Sequence, residues 1–88
     1  MAQVATSSTA VVVPATNKDG IVRLQNLHAT QNVYYAWGKT GSVPTSSSGL
    51  RIIPGASVDV RMSAAPAGMR LYLVANSTDT PTVAWDYV

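Results

Sequence analysis

The sequence has no cysteine, no phenylalanine and no glutamate, and His28 is its single histidine. Without cysteine, disulfide bonds and thiolate metal sites are excluded, and one histidine excludes a multi-histidine site within the chain. A domain of 88 residues has a small core and is often stabilised by disulfides, metals or association. We therefore expect no metal and no cofactor, and we expect the protein to be a homo-oligomer.

Charged residues are also scarce. The chain has six Lys and Arg and four Asp, which gives a formal net charge of +2 at pH 7, and the cations are spread along the chain. Nucleic-acid binding usually needs a dense basic surface, so no nucleic acid is expected among the partners. The apolar run at residues 10–13 is too short to span a bilayer, and no Lys/Arg cluster is present to dock on an anionic membrane. No membrane partner is expected either.

β-Branched and aromatic residues fall in short runs between turn-forming residues, which indicates strands rather than helices. The predicted strands cover residues 4–13, 21–27, 32–37, 49–53, 57–62, 69–75 and 82–88. Apolar and polar residues alternate in several of them, as in antiparallel sheets with one solvent-facing side. The sequence predicts one all-β domain over residues 1–88, an antiparallel β-sandwich of about seven strands. Its topology is expected to be jelly-roll or immunoglobulin-like.

Two segments need separate predictions. Residues 1–9 have little apolar content, so we expect a flexible or partner-embracing arm that is ordered only by contact with a neighbouring chain. The Pro54-Gly55 turn joins two predicted strands. Burial favours a three-residue loop with a bulge, which pairs Ile52 with Val58; alternatively, the two strands belong to different sheets.

His28 and the four aspartates are the candidates for catalysis or metal binding. No serine lies in a nucleophile-elbow pattern, and the aspartates lack the spacing of a calcium loop. A surface turn explains His28, and turns or outward strand positions explain the aspartates. The Asn76-Ser77-Thr78 glycosylation pattern is equally well explained by a turn. We therefore expect that the protein is not an enzyme.

All large aromatic residues are tyrosine or tryptophan, which combine a ring with a polar end and are enriched at interfaces. The strand predicted at 69–75 is apolar on both faces. Leu71 and Leu73 alternate together and form the expected core side of this strand. The opposite side is therefore expected to contact another copy of the chain or the protein shell of a larger particle. The expected protein-interface residues, including two from the arm, are Tyr72, Arg70, Tyr34, Val74, Val4 and Thr6.

Four segments carry a resemblance to known proteins. They read Ile21-Val22-Arg23-Leu24-Gln25-Asn26, Val33-Tyr34-Tyr35-Ala36-Trp37-Gly38, Ser48-Gly49-Leu50-Arg51-Ile52-Ile53-Pro54-Gly55 and Leu71-Tyr72-Leu73-Val74-Ala75-Asn76. In this order they resemble small β-sandwich virion proteins of tailed bacteriophages, which include capsid decoration (cement) proteins and similar accessory head or tail modules. The resemblance covers residues 21–88. It implies a non-enzymatic structural protein that is assembled in symmetric copies on a particle.

Resemblance and composition lead to one functional expectation. The protein is expected to be a phage capsid decoration (cement) protein on the capsid surface of the virion. It would bind the major capsid protein or another virion protein and stabilise or decorate the head. A small, weakly charged domain suits this role, because a lattice repeats a modest contact many times. The alternative is a carbohydrate- or receptor-binding module of a phage tail or fibre, and a small hydrolase is a third interpretation.

Overall fold

The computed structural model describes residues 2–15, 19–45, 49–75 and 80–88. The strands are β1 (Ala2–Ala5), β2 (Val11–Val12), β3 (Ile21–Asn26), β4 (Val33–Gly38), β5 (Leu50–Ile52), β6 (Ser57–Arg61), β7 (Arg70–Ala75) and β8 (Thr82–Tyr87). One turn of 3-10 helix, Met62–Ala64, follows β6. Within the described ranges no helix has the length and apolar character needed to cross a membrane.

The eight strands form two antiparallel sheets. The first sheet has the order β1-β8-β3-β6 and the second has the order β2-β7-β4-β5. The pairs β1–β8, β2–β7, β3–β6 and β4–β5 show that the first half of the chain runs antiparallel beside the second half, as one long ribbon. Wrapping of this ribbon places β8 beside β3 and β7 beside β4. The arrangement is an eight-stranded jelly roll, so the predicted sandwich is confirmed and its immunoglobulin-like variant is wrong.

The amino-terminal segment departs most from the prediction. The strand expected at 4–13 is two short strands, one in each sheet, which raises the strand count to eight. Thr6, between them, is 1% exposed, and both its N–H and its Oγ1 donate to the Pro81 carbonyl, at 2.8 and 2.7 Å. The Ser7 carbonyl accepts from the Ala75 N–H at 2.8 Å. The predicted arm is therefore wrong for residues 2–7, because main-chain hydrogen bonds attach them to the sandwich.

The Pro54-Gly55 turn joins β5 in the second sheet to β6 in the first. The two strands belong to different sheets, so the bulged hairpin is wrong and its alternative is right. Hydrogen bonds to β3 hold the crossing in place: the Gly55 N–H donates to the Asn26 carbonyl at 2.9 Å, and the Asn26 N–H donates to the Ala56 carbonyl at 3.0 Å.

The hydrophobic core lies between the two sheets. Its buried members are Val13, Val22, Leu24, Val33, Ile52, Val60, Met62, Leu71, Leu73 and Val83. Tyr35, Trp37 and Trp85 pack half-buried against them. The alternation in β3, β6 and β8 therefore predicted the inner face of the first sheet correctly.

Asn26, the last residue of β3, places a polar side chain in this interior and is 0% exposed. Its Nδ2 donates to the Gln31 carbonyl at 2.8 Å and to the Ile52 carbonyl at 3.0 Å. Its Oδ1 accepts from the His28 N–H at 3.0 Å. One amide thus joins the first sheet, the second sheet and the turn between β3 and β4.

His28 continues this network within the turn. Its Nδ1 accepts the N–H groups of Thr30 and Gln31, at 3.1 and 2.9 Å. Because Nδ1 is an acceptor, the neutral ring carries its proton on Nε2. The imidazole therefore satisfies main-chain donors of a turn, which is the location predicted from the sequence.

The Asn26 network predicts a large stability effect. Asn26→Ala removes the partner of the buried Ile52 carbonyl and of two part-buried turn groups, the Gln31 carbonyl and the His28 N–H, and we expect it to lower the free energy of unfolding by about 3 kcal/mol. Urea denaturation measures this change. The control is Gln25→Ala, on the solvent side of the same strand, for which a change within about 0.5 kcal/mol is expected. Equal effects of the two substitutions would contradict the structural role of the Asn26 amide.

The pairing of β1 predicts that the amino terminus stabilises the domain. Deletion of residues 1–5 removes a strand that pairs with β8 from Ala2↔Trp85 to Ala5↔Thr82. We expect the melting temperature to fall by about 5 °C or more, as measured by circular dichroism. The exposed Gln3→Ala variant serves as the control and should melt like the full chain. An unchanged melting temperature after deletion would contradict the stabilising role of β1 and favour a flexible arm.

Candidate protein-docking face

The outer faces of the two sheets differ in composition. On the first sheet, Asp86, Arg23 and Asp59 lie side by side on β8, β3 and β6. Arg23 Nε and Nη2 donate to Asp59 Oδ1 and Oδ2 at 2.8 and 3.2 Å. These hydrogen bonds, with the attraction between the charges, lower the pKa of Asp59 and raise that of Arg23. The outer face of the first sheet is therefore a charged surface with an internal ion pair.

The outer face of the second sheet is largely apolar, and we call it the docking face. Its rows, taken across β5, β4, β7 and β2, are Arg51–Tyr34–Val74, Ala36–Tyr72–Val12 and Gly38–Arg70. Within the four described strands no acidic residue lies on this face. Two arginines at its margin are its charged side chains.

The chain itself covers part of the docking face. After β4 the chain turns back, with the Ser42 N–H donating to the Lys39 carbonyl at 2.9 Å. This turn brings Pro44 over Gly38: a Cβ on Gly38 would lie 2.6 Å from Pro44 Cδ and 3.1 Å from Tyr72 Cδ1. The absence of a side chain at Gly38 therefore lets a proline and a tyrosine ring meet above the strand.

Four of the six predicted interface residues share the docking face. Arg70 is exposed and Tyr34 is half-buried, so both remain accessible to a partner. Tyr72 and Val74 are 9% and 1% exposed in the single chain. The prediction that Tyr72 and Val74 contact a partner is wrong for the single chain as folded, because both side chains are already buried within it.

The two residues predicted from the arm lie elsewhere. Thr6 is buried by its hydrogen bonds to Pro81, and its predicted partner contact is corrected for that reason. Val4 pairs with Val83 on the inner side of the first sheet and packs half-buried against the core. Both therefore contribute to the fold of the single chain.

Three further residues of the docking face, Val12, Ala36 and Arg51, were not predicted from the sequence. Val12 and Ala36 are half-buried and Arg51 is exposed. Arg51 could have been found, because it alternates with Leu50 and Ile52 in a predicted strand. Val12 could not be oriented, because its strand was predicted as part of one long run.

Among the cavities that open on the described surface, three differ clearly in their lining. The first, of about 410 Å³, lies on the charged outer face of the first sheet beside Arg23 and Asp86. The second, of about 350 Å³, lies at one end of the sandwich beside Met62 and Arg70. The third, of about 240 Å³, opens between the sheets beside Leu50, which is 64% exposed. The linings of the cavities differ in polarity: polar and charged residues border the first, and apolar residues border the third.

The described candidates for catalysis and metal binding do not come together in one cluster. His28 lies in the turn between β3 and β4 and lines none of these three cavities. Among the described residues, no group of three or more His, Cys, Asp or Glu could hold a metal ion. Asp79 and the Asn76-Ser77-Thr78 pattern lie outside the described residues.

No family model, curated protein or solved structure matches this chain. Its function is therefore inferred from its own residues and their geometry.

The close approach at Gly38 predicts a coupled pair of substitutions. Gly38→Ala inserts a methyl group against Pro44 and Tyr72, and we expect a loss of about 1–3 kcal/mol in the free energy of unfolding. Pro44→Ala removes the nearest atom, so the double variant should recover part of that loss in a double-mutant cycle. Strict additivity of the two substitutions would contradict the observed contact.

Proposed function

We propose that this chain is a capsid decoration protein of a tailed bacteriophage. It attaches through the docking face to the major capsid protein or another virion protein and lies on the capsid surface. The observation that carries this proposal is the contrast between the two outer sheet faces. An outer face that stays in water is expected to be polar, as it is on the first sheet, whereas the accessible residues of the docking face, apart from its two arginines, are Val12, Tyr34 and Ala36.

The dimensions of the molecule suit attachment. The described residues extend over 32 × 29 × 17 Å, so each broad side of the sandwich measures roughly 32 by 29 Å. A standard interface buries about 800 Å² on each partner, and a side of that size has room for it. Tyr34 lies on β4 between Arg51 and Val74 and remains partly accessible. A tyrosine in such a position is the type of residue that anchors interfaces.

The size and chemistry of the chain also support a role in assembly. The domain has a small core and no cysteine, so association with other chains adds stability that the core alone supplies sparingly. Repetition over a symmetric particle then multiplies a modest contact, and copies of this chain are proposed to associate there. Jelly rolls occur in viral capsid proteins but also in lectins, so the fold alone does not carry the proposal.

A carbohydrate- or receptor-binding module of a tail or fibre is the second candidate. The cavity of about 410 Å³ favours it, because Arg23, Gln25, Ser57 and Asp86 border this recess and offer both donors and acceptors. Sugar binding usually adds an exposed ring for stacking. Tyr87 borders the recess, but its ring packs edge-on against Trp85 with centroids 6.0 Å apart. The docking face therefore supports the first candidate better.

Attachment can be tested with Tyr34→Ala. On phage particles that lack the wild-type chain, we expect the variant to bind about thirtyfold more weakly, which corresponds to about 2 kcal/mol for an interface anchor. Its melting temperature should stay near that of the wild type. Occupancy measured by gel densitometry of purified particles gives the result.

The matched control is Tyr87→Ala, which truncates a tyrosine away from the docking face and should bind like the wild type. Two outcomes would contradict the proposal. Wild-type protein that does not attach to particles would exclude a decoration role. Wild-type occupancy by the Tyr34→Ala variant would place the attachment surface elsewhere.

A further inference from the structure

We infer that the docking face binds an acidic protein surface, one that presents carboxylates around an apolar centre. This inference rests on the proposed attachment through that face and adds the chemistry of the partner. It depends on how charge is divided between the two sheets.

On the described strands, acidic residues lie on one side of the sandwich only. Arg51 and Arg70 are exposed at the margin of the docking face. The acids that lie on described strands, Asp59 and Asp86, are both on the outer face of the first sheet. The docking side is therefore cationic, although the whole chain has a formal net charge of only +2.

The two arginines lie at opposite corners of the apolar area. Arg51 is on β5, two strands away from β7, and shares a row with Val74. Arg70 lies four positions before Val74 on β7. The usual strand spacing and rise per residue put the two arginine Cα atoms about 16 Å apart. An acidic partner with carboxylates at a similar spacing would contact both while covering the apolar residues between them.

The arginines on the two sheets differ in their pairing. Arg23, on the first sheet, is paired with Asp59 at 2.8 Å. For Arg51 and Arg70, no carboxylate among the described residues lies within salt-bridge distance. Arginine fits carboxylates through two parallel hydrogen bonds, and complementary charge at the margin of an interface gives orientation and specificity. Their guanidinium groups are therefore available to carboxylates of a partner.

A nucleic acid fits this face less well than a protein does. Nucleic-acid affinity comes mainly from many phosphate contacts, and the docking face offers only two cations on its described strands. Half-buried Tyr34 and Ala36 lie between the two arginines, half-buried Val12 lies on the neighbouring β2, and such residues pack against other apolar groups. An acidic protein surface can pair carboxylates with the arginines at the margin and pack apolar groups against the residues in the centre.

The test is an NMR titration of the whole chain with a defined probe, the blocked peptide Glu-Leu-Glu-Leu-Glu. We expect the peptide to shift the amide resonances of β4, β5 and β7 and to leave the outer face of the first sheet unchanged. The peptide Gln-Leu-Gln-Leu-Gln and a short DNA duplex are the competing probes and should bind more weakly. Equal or tighter binding of either would overturn the inference.

Charge-reversal variants provide the matched comparison. Arg51→Glu and Arg70→Glu should each weaken binding of the acidic peptide about fivefold. Arg61→Glu changes the net charge equally, but its side chain is exposed on the outer face of the first sheet, so it should leave binding nearly unchanged. The same loss in all three variants would indicate nonspecific attraction and would overturn the inference.

The variants also separate this inference from the proposed function. Wild-type protein that does not attach to phage particles refutes the decoration role, whereas the peptide titration still decides the chemistry of the face. If wild-type protein attaches to particles, Arg51→Glu and Arg70→Glu should attach less than Arg61→Glu. Equal attachment of the three would overturn the acidic partner and leave the decoration role standing.

Discussion

The fold depends on a buried amide at the end of the sandwich where the chain repeatedly crosses between sheets. Asn26 ends β3 in the first sheet, yet its Nδ2 donates to the Ile52 carbonyl of β5 in the second. A buried amide without partners is costly, so only an arrangement that brings both sheets and the β3–β4 turn to Asn26 satisfies it. Arg51 of the docking face directly precedes Ile52, whose carbonyl accepts this hydrogen bond.

The two sheets share one core but meet their surroundings in different ways. On the first sheet, alternation places charges outward, and Arg23 pairs with Asp59 within the same face. On the second sheet, Tyr72 and Val74 of the outer face are buried within the single chain, whereas Val12, Tyr34 and Ala36 stay partly accessible. This asymmetry is the physical basis for proposing that one side of the sandwich attaches to a particle and the other remains in solvent.

Periodicity predicted the fold class and the inner faces of β3, β6 and β8, because these strands alternate regularly. It failed for the amino terminus, where Thr6 is held by Pro81, a residue 75 positions away. Local composition carries no signal for such a contact. For Tyr72, alternation gave the correct face but not its burial, since its ring lies close to Gly38 and is 9% exposed. Part of the candidate site could therefore be predicted, whereas the division between covered and accessible residues required the tertiary structure.

The ribbon-like pairing of the strands has a consequence for the order of folding. During synthesis β1 and β2 emerge first, yet their hydrogen-bonded partners are β8 and β7. The β4–β5 pair is the one formed by consecutive strands. Loop-closure entropy makes distant pairings slow, so the chain is expected to start from its middle and close its ends last. Neither sheet, and hence no docking face, can be completed on the ribosome before β7 and β8 have left the exit tunnel.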